Sequence, residues 1–304
     1  MPDLVEIENK ATICRTTCGW KKPELPLNDV LRFWRDVHSP AISRRAGIYE
    51  YRHMQFDQVT PDLLPPIAGV KYAAPANEQL MWLSDVRYAD QADLDAFGNS
   101  PSAEEKALLL ADIEMIVDKS TTYLVLGENG KTFVDRNEMP PVGPAKKATY
   151  SLFLRQKSSE EEFRACLQRV CTAWASKDSV ERLRLSLFEV PDMEAERAAG
   201  YPIKTHPVEM QYQAWIDITV SDSASLAGLI DASTAEAFAR HVTTLHTYPT
   251  NVVFTFVHDG APTLVGLRGY GAYEAIHALG ARQHQDSRLL EWMYGNIVRE
   301  GIVQ

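Results

Sequence analysis

The sequence predicts an α+β fold in which two ferredoxin-like units, each of β-α-β-β-α-β order, follow one another in one chain. Two observations lead to this prediction. The length of 304 residues allows two domains of ordinary size. A segment of the first half also recurs in the second half, with the same order of apolar periodicities around it. The duplication indicates one structural unit used twice, with antiparallel sheets that can pack together and enclose a shared interior.

The internal repeat is carried by residues 83–94 and 215–226. The two segments share an alanine, a leucine and the aspartate pairs Asp85/Asp217 and Asp90/Asp222. For Asp85 and Asp217 we expect a cap on the following helix, although paired carboxylates can also hold a proton or orient a histidine. The repeat therefore predicts matching structure in the two halves, rather than a matching acid site.

Periodicity predicts six elements in each half. In the first half they are a strand at 11–17, a helix at 28–38, strands at 48–56 and 79–88, a helix at 104–118 and a strand at 121–126. In the second half they are a strand at 149–155, a helix at 159–175, strands at 183–190 and 209–220, a helix at 234–244 and a strand at 251–257. Ser159 and Glu162 form a capping box at the start of the helix at 159–175.

These elements divide the chain into a first unit at 1–136, a proline-containing linker at 137–147, a second unit at 148–260 and a tail at 261–304. The tail carries an amphipathic helix predicted at 287–298. Two roles fit this helix: it caps the barrel or gates a pocket, or it forms a contact in an oligomer such as a homodimer.

Composition and charge exclude several classes of protein. The chain is 45% hydrophobic and 24% charged, which is typical of a globular protein. Its net charge of -10 disfavours a nucleic-acid partner, since no basic run compensates for it. The sequence shows neither a signal peptide nor a run of about 18 apolar residues, so we expect a cytoplasmic protein without membrane contact. The four cysteines, at 14, 18, 166 and 171, lack metal or redox spacing and are expected to be free thiols.

Two predicted strands have faces of different character. On strand 48–56 one face carries Ile48, Met54 and Phe56, and the other carries Tyr49, Tyr51, His53 and Gln55. On strand 209–220 one face carries Met210, Tyr212, Ala214, Ile216 and Ile218, and the other carries Glu209, Gln211, Gln213, Trp215 and Asp217. We expect the apolar faces to meet the helices. The polar-aromatic faces then look into the space between the sheets or into solvent.

Residues 33–41, which include Trp34, His38 and Pro40, resemble the signature of the EthD family when taken with Gly47 and Tyr51. Residues 95–101 and Asp112 are also similar to that family. The resemblance covers about the first 130 residues and implies the dimeric α+β barrel fold. In the second half Trp174 has no following histidine, so one functional pocket per chain is favoured over two.

The resemblance leaves the activity open, because that superfamily includes decarboxylases, dehydratases, lactone isomerases, cofactor-independent oxygenases and haem enzymes. His38, at the predicted helix end beside Trp34, is a candidate acid or base, and a helix-capping role is its alternative. His53 with Tyr49 and Tyr51 forms a second candidate set, for which aromatic packing is the alternative. We thus expect catalytic roles for His38, His53 and Tyr51, and no metal ligand.

We expect the substrate-binding residues to come from both units: Trp34, Tyr49, Glu209, Gln211, Gln213 and Trp215. The predicted function is a cofactor-independent lyase or isomerase that acts on a small aromatic or polyketide-like molecule between the two sheets. One alternative is a haem enzyme with an axial ligand in the region of His241, His246, His258, His277 and His284. The other is a non-catalytic binding protein for hydrophobic metabolites.

Overall fold

The structure of the chain is a computed structural model that describes residues 10–137, 139–192, 194 and 206–295. The first half contains β1 (Ile13–Lys21), α1 (Leu27–Phe33), a π-helical turn (Trp34–His38), α2 (Ser39–Ile42), β2 (Glu50–Phe56), β3 (Trp82–Tyr88), α3 (Gln91–Asn99), α4 (Ala103–Ile116), β4 (Val117–Leu126) and β5 (Gly130–Asp135). The second half contains β6 (Val142–Pro144), β7 (Ala148–Gln156), α5 (Glu160–Ala175), β8 (Val180–Leu187), β9 (Ala214–Val220), α6 (Ser223–Ala227), α7 (Ala232–His241) and β10 (Val242–His258). The tail adds β11 (Ala261–Pro262), α8 (Leu264–Arg268), α9 (Tyr270–Leu279) and α10 (Ser287–Tyr294).

The sheet confirms the predicted fold class. Within the described residues the strands follow the order β4-β1-β3-β2-β10-β7-β9-β8-β5, with β6 and β11 paired to β10. Each half contributes four antiparallel strands in the same ferredoxin-like order, β4-β1-β3-β2 and β10-β7-β9-β8. The chain therefore forms an α+β barrel from two units that a single polypeptide joins.

Strand β10 links the two halves of the barrel. Its first part pairs with β7 and its second part, from Thr250 to Val257, pairs with β2. The sequence predicts only 251–257 as strand and extends the preceding helix to 244. The helix instead ends at His241, because the following Val242, Thr243 and Thr244 are β-branched and favour extended backbone.

Other predicted boundaries also shift. The capping box of Ser159 and Glu162 is present at the start of α5. Strand β9 begins at Ala214 rather than 209, because Val208–Met210 forms a 3₁₀ turn after Pro207. The predicted linker contributes β6, and the predictions missed α3 and β5. Strand β5 follows β4 directly in the chain yet pairs with β8 of the second half, which brings the two ends of the strand order together.

One apolar core fills part of the barrel between the sheets. Met54 and Phe56 lie in it with Tyr123, Phe153 and Trp215. The prediction for β9 is confirmed for Ile216 and Ile218, which meet the helices, and for Trp215, which faces the barrel. It was wrong for Tyr212, which lies in the barrel core because the strand begins only at Ala214. The prediction for β2 was wrong: Met54 and Phe56 face the barrel, whereas Tyr51 lies in the core on the helix side. The apolar face of β2 packs against the second sheet because that sheet also presents large aromatic side chains.

A layer of buried ion pairs lies beside this core. Asp217 accepts hydrogen bonds from Arg52, at 2.9 Å, and from Arg182. The Asp85 carboxylate also accepts two hydrogen bonds, one from the Thr16 hydroxyl group and one from Arg87 Nε. The helix-capping role expected for Asp85 and Asp217 is therefore wrong.

The caps are made by the other aspartates of the repeat. The side chains of Asp90 and Asp222 accept hydrogen bonds from the first turns of α3 and α6. The two aspartate pairs of the repeat thus have different structural roles: Asp85 and Asp217 form buried ion pairs in the barrel, and Asp90 and Asp222 cap helices.

The tail packs against the helix side of the first unit. Val265 and Tyr270 join Tyr51, Phe254 and Phe256 in one core. The predicted tail helix is present as α10, and the last residues of the prediction, 296–298, lie outside the described residues. Among the helices that the structure describes, none combines the length and apolar character needed to cross a membrane.

Candidate active site

The site is built on the helical segment from Leu27 to Ile42. This segment does not end at His38, as the sequence predicts, but continues through Ser39 and Pro40 to Ile42. Between Trp34 and His38 it widens into a π-helical turn, in which the Ser39 N–H donates to the Trp34 carbonyl oxygen. Such turns are frequent at functional sites. A C-capping role for His38 is therefore wrong, because helix continues on both sides of it.

The π-turn directs Trp34 and His38 toward the sheet. Both side chains are buried, at 6% and 3% exposure, and their ring centroids lie 4.4 Å apart. The Trp34 indole N–H donates to Ser84 Oγ at 3.3 Å on β3. His38 Nδ1 lies 3.4 Å from a carboxylate oxygen of Asp112 on α4. A histidine with one ring nitrogen against a carboxylate is oriented for acid–base chemistry through the other.

Tyr51 lies beneath this pair. Its hydroxyl group is 2.8 Å from Ser39 Oγ, and the residue is 1% exposed. Burial raises the pKa of the Tyr51 phenol, so the hydroxyl group keeps its proton and serves as a hydrogen-bond donor.

His53 is fully buried on the same side of the sheet, next to Ser84. Its ring nitrogens lie 3.5 Å from Ser84 Oγ and 3.4 Å from the Gln55 side-chain nitrogen. Burial, together with the nearby His38 and Arg35, lowers the pKa of His53 to about 3. His53 therefore stays neutral and is a weak proton acceptor, which separates its chemistry from that of His38.

A cavity of about 100 Å³ lies between the helices and the first sheet. His38 and Ser84 are among its polar lining residues. Its aromatic walls are formed by Trp34, Tyr51, Trp82, Tyr88 and Phe97. His38 also lines an adjoining space of about 220 Å³ beneath α3 and α4. Because a cavity of about 150 Å³ already admits benzene, the two spaces accommodate a small aromatic molecule.

Gly19 on β1 makes room for one cavity wall. A Cβ atom at this position would lie 2.3 Å from the Trp82 indole ring. The ring is 1% exposed and packs against Trp34 at a centroid distance of 5.2 Å. Glycine at position 19 thus allows Trp82 to lie flat across the strand and close the floor of the cavity.

The corresponding side of the second unit is filled. Phe163, Trp174 and Phe238 form one core there with Leu185 and Leu245, and each is at most 1% exposed. The Trp174 indole N–H donates to the Leu229 carbonyl oxygen at 3.0 Å, which is a structural role. Of the two helix-facing sides, that of the first unit therefore carries the cavity described above.

The same packing bears on the haem alternative. His246 is 2% exposed and lies 2.7 Å from the Tyr212 hydroxyl group, and burial lowers its pKa to about 4. His241 contacts Ser158 at 2.9 Å. His258 lies at the end of β10 and is 39% exposed in its side chain. Hydrogen bonds thus occupy a ring nitrogen of His241 and of His246, which argues against an axial role for these two residues, whereas His258 and His277 line a separate cavity of about 610 Å³.

The predicted site residues are divided between two parts of the molecule. Trp34, His38 and Tyr51 line the cavity, and His53 contacts its wall through Ser84. Tyr49 lies at the strand end, where its hydroxyl group donates to Asp259 at 2.5 Å. The remaining four belong to the second unit: Glu209, Gln211, Gln213 and Trp215. None of these four is among the described residues that line the cavity.

Two residues of the site, Asp112 and Ser84, could hardly be assigned to it from the sequence. Asp112 was noted only as part of the resemblance, and its approach to His38 depends on how α4 packs across the sheet. Ser84 binds both Trp34 and His53. It shares one face of β3 with Trp82 and Tyr88, so strand alternation is the signal that could have identified it.

No protein-family model matches the chain, and no curated protein matches it. Among solved structures it is similar to a protein named "putative monooxygenase" from Lactobacillus acidophilus NCFM, with 10% identity, 82% of this chain and 97% of that chain covered, and a TM-score of 0.47. An anthrone oxidase-like protein has 12% identity, coverage of 83% and 94%, and a TM-score of 0.46. A dye-decolorizing protein from V. cholerae has 10% identity, coverage of 82% and 96%, and a TM-score of 0.37. At these values the similarities carry no conclusion about activity.

Proposed function

We propose that the chain is a small-molecule enzyme that moves a proton on an aromatic substrate held in the helix-facing cavity. The observation that carries the proposal is the buried His38, paired with Asp112 at the wall of an aromatic-lined space. The residues of this wall include Trp34, His38 and Tyr51, on which the resemblance to the EthD family rests. Membership of that family is part of the proposal.

His38 is the proton acceptor in this mechanism. Asp112 contacts Nδ1, which leaves Nε2 for the substrate. Nε2 takes a proton from a carbon next to a carbonyl group; the electron pair of the broken C–H bond forms a C=C bond, and the π electron pair of the carbonyl group moves to its oxygen. Asp112 holds the imidazole ring through Nδ1 while Nε2 takes the proton. Return of the proton to another carbon gives isomerisation, and departure of hydroxide from the β-carbon with the C–O electron pair, as the enolate re-forms the carbonyl group, gives a dehydration.

Tyr51 supplies a hydrogen bond to the developing oxyanion, and Ser39 holds the Tyr51 hydroxyl group in place. The raised pKa of Tyr51 keeps its phenol protonated, and its hydroxyl group already contacts Ser39 at 2.8 Å. Donors fixed before the reaction stabilise an enolate more than solvent does, because they need no reorganisation. The side chains of Trp34 and Phe97 pack against the ring of the substrate.

Deuterium exchange tests this proposal without knowledge of the later steps. A panel of aromatic ketones and phenols is incubated with the chain in D₂O, and exchange of C–H for C–D is followed by ¹H NMR. Wild type is expected to accelerate exchange in at least one compound. His38→Asn is expected to lower that rate by about 10²–10⁴-fold, which is typical for loss of a general base.

His53→Asn is the matched control, since its ring lies under the same cavity and stays neutral in the folded chain. It is expected to retain exchange activity. Equal rates for wild type and His38→Asn would refute the proposal. Binding of a compound by wild type with no exchange or conversion across the panel would instead support the binding-protein alternative.

A further inference from the structure

A second and larger cavity, of about 610 Å³, opens at one end of the barrel. Its floor includes Arg52 on β2 and Arg182 on β8, and one side is formed by Arg136, Asn137 and described residues between Met139 and Lys147. Because neighbouring residues of a strand point to opposite faces, Arg52 faces this space while Tyr51 faces the helix-side cavity. The described residues that line the two cavities do not overlap.

The charge of this cavity contrasts with that of the whole chain, which is -10. Five permanently cationic side chains line it, and no carboxylate does so among the described residues: the cations are Arg52, Arg136, Lys146, Lys147 and Arg182. Asp217, Asp135 and Glu181 pair with three of these cations from outside the lining. Arg136 and Lys146 form no ion pair with a described residue, so among the described residues positive charge is in excess.

The floor of this cavity is formed by buried arginine side chains that ion pairs hold in place. Arg52 and Arg182 are 3% and 4% exposed, and both donate to the same oxygen of Asp217. Arg52 Nε is buried and has no hydrogen-bond partner. Burial and the neighbouring Arg182 lower the pKa of Arg52, whereas Asp217 and Asp135 raise the pKa of Arg182 in spite of its burial. Asp217 Oδ1 is likewise buried without a partner among the described residues, so the pairing at the floor is incomplete on both the cationic and the anionic side.

We propose that the open end of the barrel binds a small organic anion with a terminal carboxylate or phosphate group. The anionic group lies toward Arg52 and Arg182, where planar guanidinium groups suit both chemistries. The organic part lies against the apolar side chains of Pro141, Val142 and Val253. The volume falls within the range of about 300–1,000 Å³ that is usual for small-molecule sites. This proposal does not depend on the function proposed for the helix-facing cavity.

Isothermal titration calorimetry of the full chain tests the site with three probes of similar size. Phenyl phosphate and benzoate carry the two anionic groups, and benzyl alcohol is neutral. We expect at least one anion to bind about tenfold more tightly than benzyl alcohol, and the preferred anion distinguishes a phosphate ligand from a carboxylate ligand. Absence of binding by both anions, or equal binding of benzyl alcohol, would overturn the proposal.

The double variant Arg136→Glu/Lys146→Glu tests whether the anion binds at the open end of the barrel. Both side chains are exposed and lie outside the buried ion pairs, so the fold should persist. We expect the preferred anion to bind at least about tenfold more weakly, and Arg136→Gln/Lys146→Gln to cause a smaller loss in the same direction. Lys131→Glu/Lys177→Glu makes the same charge change at exposed positions outside the cavity. An unchanged affinity in the first variant, or an equal loss in this control, would refute the site.

Discussion

Asp217 holds two buried arginines in the barrel, and its replacement by asparagine should strongly destabilise the chain. The side chain is 1% exposed and one of its oxygens accepts from both Arg52 and Arg182. Asp217→Asn keeps the shape but leaves two buried cations without their shared anion. Loss of one partner from a buried ion pair typically costs about 3–5 kcal/mol.

The free energy of unfolding, measured by urea titration with circular dichroism, gives this cost directly. Asp135→Asn is the matched control, because Asp135 also pairs with Arg182 but is 34% exposed in its side chain. An exposed pair contributes about 0–1 kcal/mol, so the control should change little. A loss below about 1 kcal/mol in Asp217→Asn, or equal losses in the two variants, would refute this account of the barrel.

The pH dependence gives an independent check on Asp217. Neighbouring Arg182 and Arg52 lower the pKa of Asp217 in spite of its burial. The unfolded chain therefore binds more protons at this group than the folded chain does at acidic pH. The stabilisation should be complete above about pH 4, the usual pKa of aspartate, and should diminish as the pH falls through the folded pKa. The difference in the free energy of unfolding between wild type and Asp217→Asn should become smaller over the same pH range.

Three further predictions concern the site and the cores. Since burial lowers the pKa of His53 to about 3, the free energy of unfolding should fall as the pH drops from about 6.5 to 4. In urea titrations His53→Gln should flatten this dependence, and an unchanged pH dependence would contradict the reasoning. Gly19→Ala should displace the Trp82 ring and weaken binding of aromatic probes, and tryptophan fluorescence that matches wild type would contradict this. Ellman's reagent should modify no thiol in the folded chain and all four after denaturation, because each cysteine is free and buried: Cys14, Cys18, Cys166 and Cys171.

The fold was largely predictable because it depends on the periodicity of apolar residues and on the internal sequence repeat. Alternation along strands and the capping box at Ser159 are local signals, and both survive in the structure. The internal repeat correctly indicated two units of the same order. Asp85 and Asp217 show the limit of this reasoning: the repeat identified them, yet their partners come from other strands and could not be inferred from spacing.

The site was predictable in part for the same reason. Trp34 and His38 are four residues apart, so helical spacing placed them together. The partner of His38 is Asp112, which is 74 residues away and reaches it only through the packing of α4. The face of β2 was assigned wrongly, because Met54 and Phe56 meet aromatic side chains of the second sheet. Which side of a strand is buried by which neighbour depends on long-range packing that alternation alone does not encode.

The central claim is that the small-molecule site lies on the helix side of the first sheet and not between the two sheets. A crystal structure of the chain with the compound that shows the fastest deuterium exchange tests this most directly. The account predicts that the compound lies between Trp34 and Phe97, with its reacting carbon within about 3.5 Å of His38 Nε2. The same compound bound between the sheets, beside Arg52 and Arg182, would contradict it.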